Sequence, residues 1–494
     1  MEYLTPKDFE DNDPLSTVSR RIFIKGLGFV SVSLLVGTMG GCDKLADAIK
    51  NRPVRRRLRT GSAEVDADIN TYRTAVQAMK NLAPNIPTSW EAQALIHGNA
   101  NNFTFCEHGT DHFFDWHRAY LFFFEKICQK VTGNAKFGLP YWNWNQNPQI
   151  HPAFLVNGDP LFMPRSNTDM TNVWAISTAA LDPIMQDTNF FSFMQQIEGT
   201  PHNTIHCAVG QTMCSTASAR DPLFWMHHCM IDYCWAKWNT ELDMNNTNDG
   251  TWVSHVNSHF VDADGNPAEQ TGGVTTIEPL LSYRYESSAI GSSPAEAELT
   301  TKSAFQRVEQ RVRAGANVRF EVKHRVRIAE KTAVSIAKPF SKETKLAPQD
   351  FAAIVNSDTA RERIFASIEF AAVPPQSDFS VRVFVNLPNA SSSTPTEDPH
   401  FAGSFAFFGT HSLAATATAP AVGGGHNHQP KFLVNLTNAI QRLRSSGQLN
   451  EGTPISLQLV PVPFAGKFEK EDTQLELNGI EIITTPVIIN LPSQ

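Results

Sequence analysis

The spacing of apolar positions divides the chain into two kinds of text. In "DADINTYRTAVQAMKNL" (66–82), Ile69, Tyr72, Val76 and Met79 fall three and four residues apart. That period predicts a helix with one buried face. To about residue 245 the chain stays helical, aromatic and rich in histidine, and "TELDMNNTNDGTW" (240–252) closes the block with turn residues. From about 320 the period drops to two. "RFEVKHRVRI" sets Phe320, Val322, Val326 and Ile328 against charged neighbours, and "SVRVFVNL" does the same with Val381, Val383, Val385 and Leu387. "ISLQLVPV" and "LELNGIEII" continue the alternation, which predicts half-buried strands. Within them "KFLVNLTNAIQRLRSSG" places Leu433, Leu436, Ile440 and Leu443 on one predicted helical face, with Gly447 as its stop.

The first fifty residues are written differently. "SRRIFIKGLGFVSVSLLVGTMGGCDK" has Arg20 and Arg21, then an apolar run to about Met39, shorter than the ~20 residues a membrane span needs. The doubled arginine resembles the twin-arginine export signal, which implies the twin-arginine machinery as a partner and a periplasmic or secreted destination. Met39-Gly-Gly-Cys42 resembles an imperfect lipoprotein box, so a lipidated Cys42 and membrane anchoring are a further expectation. The net charge of −8 argues against general nucleic-acid binding, which needs a basic field. Seven cysteines (42, 106, 128, 207, 214, 229 and 234) show no zinc-ribbon pairing and no legible disulfide framework. Cys128, Cys229 and Cys234, in apolar helical patterns, read as buried free thiols.

Sixteen histidines occur in 494 residues, and their clustering carries the chemistry. "CEHGTDHFFDWHRAYLFFFE" (106–125) holds His108, His112 and His117, with His97 upstream in "ALIHGN". In "PHNTIHCAVGQTMCSTASARDPLFWMHHCMIDYCWAKWN" (201–239), His202 and His206 stand four apart, ~6 Å along a helix axis, so two imidazoles could grip one ion. Asn203 stands where a zinc protease needs glutamate, so that class is disfavoured. Asp221 and Pro222 form a helix start before His227 and His228, of which at most one can join His202 and His206. Imidazole without carboxylate suits copper or zinc and not calcium, magnesium or di-iron carboxylate chemistry.

These two stretches, with "LPYWNWN" (139–145) between them, resemble the copper-binding signatures of the tyrosinase, catechol oxidase and molluscan haemocyanin family over residues 55–285. The resemblance implies a mainly α catalytic domain with a four-helix-bundle core and two copper ions. One would sit on His97, His108 and His117, the other on His202, His206 and His228, with O2 as co-substrate and small phenols as substrates. It implies a thioether between Cys106 and His108, and a water held near the second copper by Glu198 and Asn203 to take the phenol's proton. Asp221 and Asp232 would orient ligands or bind Arg118. "YRY" (283–285) would meet an arginine among Arg55 to Arg57, and His227 would be a neighbour only. "HFAGSFAFFG" (400–409) and the strands after it resemble the C-terminal domain of plant polyphenol oxidases, here a β-rich, sandwich-like domain expected to cover the copper pocket until removed. No plug residue is legible, and His426 and His428 read as solvated loop.

The domain plan expected is an export signal over 1–42, a catalytic domain over 53–290, a linker over 291–319 and a shielding domain over 320–490. The activity expected is o-hydroxylation of monophenols, oxidation of o-diphenols to o-quinones, or both, from a latent proenzyme. A haemocyanin-like oxygen carrier and a catechol-only or o-aminophenol oxidase are the alternatives.

Overall fold

Several helices open where a side-chain cap meets an apolar stripe. Ser62 accepts from the Val65 amide and opens α1 (Ala63–Lys80), and Ser89 accepts from Ala92 to open α2 (Trp90–His97). The aromatic run of the first histidine cluster is α3 (Phe113–Thr132), which ends at Gly133 in the left-handed conformation. Asn189 caps α5 (Phe190–Ile197), after α4 (Thr178–Met185). The chain then widens into a looser turn over Glu198–His202, with Pro201 inside it, before α6 (Asn203–Val209). Such a local widening re-aims side chains and is common at functional sites. Asp221 and Pro222 start α7 (Pro222–Thr240), where the Asp221 carboxylate accepts from the Leu223 amide. This computed structural model describes residues 51–242, 244–286, 320–409, 429–466, 468 and 471–487.

Stacked aromatic pairs lock these helices together: Phe124 on Trp225, Phe114 on Trp235 and Phe193 on Trp238. Short strand β1 (Val54–Arg55) pairs in parallel with β4 (Arg284–Tyr285), bringing both ends of the helical region together. Between them in sequence lies the hairpin of β2 (Val256–Val261) and β3 (Pro267–Thr271).

The alternating text forms two sheets. One runs β10-β9-β12-β7, from β7 (Phe340–Thr344), β9 (Phe379–Val385), β10 (Phe401–Ala406) and β12 (Ile455–Pro463). The other runs β11-β8-β13-β5, from β5 (His324–Ala329), β8 (Glu362–Phe370), β11 (Lys431–Asn435) and β13 (Gln474–Pro486), with β6 (Thr332–Ser335) also on β13. Val383, Val385 and Leu457 of the first share one apolar core with Ala366, Ile368, Ile480 and Ile482 of the second, as in a sandwich.

Three expectations are corrected. Leu433 lies on strand β11, and the helix that follows, α8 (Thr437–Ser445), begins only after it. Phe320 and Val322 precede β5, which starts at His324. Cys207 and Cys214 form a disulfide, whereas Cys128, Cys229 and Cys234 are buried free thiols. The export signal, Cys42, the linker, His426 and His428 lie outside the described residues. Among the described residues no helix is long and apolar enough to cross a membrane.

Candidate metal centre

The six histidines come from helices and turns far apart in sequence, and four of the rings are aimed by an oxygen on their Nδ1 side. His97, the last residue of α2, has Nδ1 3.2 Å from the Thr216 carbonyl. A side chain on Gly98 would place its Cβ 2.2 Å from that same carbonyl oxygen, so glycine lets the two segments approach. His117 Nδ1 is 2.7 Å from the Phe113 carbonyl, and His206 Nδ1 is 2.7 Å from that of Met213. His202 Nδ1 is 2.8 Å from Asn203 Oδ1. Each acceptor requires the proton on Nδ1 and leaves the Nε2 lone pair free, the tautomer a metal needs. The Nε2 atoms of His97 and His202 are buried without a hydrogen-bond partner.

Ligand atoms of His97, Cys106, His108 and His117 lie within 4.8 Å of one another, as do those of His202, His206 and His227. The two clusters adjoin: the His108 and His202 rings are 5.3 Å apart, and the His117 and His228 rings stack at 4.4 Å. Desolvation pushes every one of these imidazoles down, His97 and His202 to about 3, so they are neutral donors across the ordinary pH range. A dry pocket of neutral nitrogens with free lone pairs fits copper.

Proximity groups His227, not His228, with His202 and His206, but hydrogen bonding separates the neighbours. Trp144 Nε1, which can only donate, lies 3.2 Å from His227 Nδ1. His227 therefore carries its proton on Nε2 and has no lone pair there for a metal. His228 Nε2 faces His206 Nε2 at 3.2 Å, an approach a shared ion would relieve.

Cys106 Sγ lies 3.0 Å from Nδ1 and 3.8 Å from Nε2 of His108, and 3.3 Å from Nε2 of His117. Burial holds its thiol well above the usual range. Glu198 is buried, accepts from the Gly109 amide at 2.7 Å, and is pushed up by desolvation to about 8. Asn203 is placed differently from the expectation of a water holder. Its Oδ1 serves His202 and its Nδ2 donates to the Ala406 carbonyl at 3.1 Å, so its amide is engaged at both ends.

Asp221 is also corrected: it caps α7 and pairs with Arg165, and neither an imidazole nor Arg118 is among its partners. Asp232 receives Arg118 Nε at 2.5 Å, Arg55, and the hydroxyls of Tyr283 and Tyr285. Arg55 also binds Glu125 and lies 3.6 Å above the Tyr283 ring. This knot ties the entry and exit of the helical region to α3 and α7 and does not touch a ligand. His112 stacks on His255 and bonds Asp115, away from both clusters.

A cavity of about 810 Å³ opens over the site, lined by Phe103, His108, Glu198 and Asn203 below and by Val373, Pro430 and Phe432 above. Phe408, just past β10, enters it: its ring is 4.1 Å from that of His206, 5.0 Å from His108 and 5.3 Å from His202. Gly409 follows at φ +91°, where a Cβ would meet the Phe103 ring at 2.6 Å. The alternating text carried no sign of this role, because the neighbouring Phe407 looks identical and packs instead into the sandwich core.

Residues 87–174 and 151–241 match the common central domain of tyrosinase, and residues 312–477 match a domain of unknown function (DUF7868). Tyrosinase HcTyr1 of Hahella sp. (strain CCB-MM4) is 25% identical over 493 residues, covering 84% of this chain and 95% of its own. A chloroplastic polyphenol oxidase of Malus domestica is 28% identical over 253 residues, and there the match spans 40% of this chain and 43% of the relative, less than half of each. In fold, the chain resembles a latent aurone synthase (polyphenol oxidase), with TM-score 0.60 over 89% of this chain and 90% of that one at 18% identity. The chain thus joins paired histidine clusters to a tyrosinase-like central domain over residues 87–241, in a fold like that of a latent polyphenol oxidase.

Proposed function

We propose that this protein oxidises small phenols with O2 at a pair of copper ions, giving o-quinones from o-diphenols and hydroxylating monophenols, and that its β-rich region keeps it latent. The observation that carries the reading is the convergence of buried imidazoles, those of His97 and His202 with Nε2 left without a partner, with Phe408 seated among them. His97, His108 and His117 would hold one ion, and His202, His206 and His228 the other. The ions supply the exchange of electrons with O2 and phenol; the rest is the work of the chain. The carbonyls of Thr216, Phe113 and Met213 and the amide of Asn203 hold the rings in register. Glu198, poised near 8 at the cavity wall, is the group suited to exchange the phenol's proton near neutral pH. Aromatic walls exclude water.

Phe408 occupies the volume a phenol ring would need, and the Ala406 carbonyl occupies Asn203. Displacing the β-rich region frees both, and that is the proposed activation. We further propose a thioether from Cys106 Sγ to the His108 ring carbon between its nitrogens, formed with loss of two hydrogens to O2 at the copper site. Residues 1–42 are proposed to export the protein by the twin-arginine route, with Cys42 as a lipid attachment point.

The test is copper content together with turnover of tyrosine, L-DOPA and 2-aminophenol before and after limited proteolysis of the β-rich region. Two copper equivalents and a rise in quinone on cleavage are expected. Reversible O2 binding with little quinone in either form would show a carrier instead.

A further inference from the structure

The disulfide between Cys207 and Cys214 sits at the junction of the second histidine cluster and the covering strand, and the oxidation chemistry above does not use it. Cys207 follows His206 directly, and the bridge closes a short loop around Gly210 and Gln211, both at positive φ. Met213 is inside that loop, and its carbonyl is the acceptor for His206 Nδ1 at 2.7 Å. Other bonds tie the loop on either side: the Val209 carbonyl accepts from the Ser166 and Asn167 amides, the Gly210 amide donates to the His206 carbonyl, and the Thr212 carbonyl accepts from Ser215. Gln211 Nε2 donates to the Ser166 hydroxyl, and the Met213 amide donates to Gly210. Both sulfurs are buried, in a small apolar cluster with Phe408, Phe103 and Phe464.

We propose that the Cys207–Cys214 disulfide is a positioning element of the metal centre, holding the Met213 carbonyl where it fixes the tautomer and the plane of the His206 ring. A backbone acceptor at the end of a loop is only as well placed as the loop is rigid, and the closure removes the conformers in which Met213 turns away. The inference rests on His206 being a copper ligand. It makes the second copper site, and not the first, dependent on an oxidised cysteine pair.

The experiment measures copper(I) binding to the metal-free, full-length protein by competition with a chromophoric chelator. The wild type is compared with the double variant Cys207→Ser/Cys214→Ser. The wild type is expected to bind two equivalents tightly. The variant is expected to bind one equivalent as before and the other about 10- to 100-fold more weakly, the usual effect of losing an orienting partner. Nitrogen-15 imidazole spectra should show the Nδ1-protonated form of His206 giving way to a mixture of tautomers. If the variant does not fold, wild-type protein reduced with a phosphine and desalted without air is measured in the same way. Two unaltered affinities and an unaltered His206 tautomer overturn the proposal. A wild type that binds no copper pair overturns the copper reading itself, and this inference with it.

Discussion

The ring of Phe408 lies over the imidazole of His206, with centroids 4.1 Å apart and planes inclined by 25°. A residue of the β-rich region thus stacks on a histidine of the helical region across 202 positions of sequence. Phe408→Ala should open the pocket without proteolysis. Truncating a buried phenylalanine costs about 3 kcal/mol or more, which corresponds to about 100-fold in the population of the open form. Uncleaved variant protein should therefore oxidise L-DOPA much faster than uncleaved wild type. Unchanged turnover in a variant that still holds two copper ions would rule out Phe408 as the plug.

Cys106 predicts a difference in mass. After copper loading in air, the peptide carrying Cys106 and His108 should be lighter by two hydrogen atoms than in metal-free protein, and resistant to thiol alkylation. Cys106→Ser should show neither change. Full alkylation of Cys106 in unfolded, copper-loaded protein would exclude the cross-link.

Arg55 answers Glu125, Asp232 and the ring of Tyr283 from full burial. Arg55→Ala leaves two buried carboxylates short of a partner, a change that costs about 3–5 kcal/mol. A large fall in the thermal midpoint is expected. Lysine cannot restore it, since a single ammonium cannot present the planar fork that meets both carboxylates. A variant melting with the wild type would show that Arg118 suffices.

Burial raises the Glu198 carboxyl from its ordinary 4.5 to about 8. Between those values the folded metal-free protein keeps a proton on Glu198 that the unfolded chain has lost, so this group's contribution to stability falls as pH rises through the window. The neutral imidazoles of the site pull the other way below their ordinary 6.5. The Glu198 slope is at most about 1.4 kcal/mol per pH unit. Glu198→Gln should flatten it, as read from thermal midpoints of metal-free protein between pH 5 and pH 8. A difference between wild-type and Glu198→Gln midpoints that stays level across the window would show that Glu198 is ionised when folded.

Much of this was legible along the chain because the signals are local. Ile69, Tyr72, Val76 and Met79 marked α1, and Asp221–Pro222 marked the start of α7. The alternation at Val381, Val383 and Val385 marked β9. The helical reading of Leu433 failed because "KFLVNL" fits either period, and pairing with β8 decided for strand. The engagement of Asn203 was not legible because Ala406, which holds its amide, is 203 residues away.

By itself the sequence determined which ligand types were available, since clustered histidines, their helical spacing and the capping residues are properties of short stretches. Tertiary structure alone decided which nitrogen His97, His117, His202 and His206 present, which of His227 and His228 is free of Trp144, which of two adjacent phenylalanines enters the pocket, and which cysteines pair. Those choices depend on carbonyls, rings and sulfurs that meet only after the chain has folded. Before folding, Phe407 and Phe408, or His227 and His228, are chemically the same.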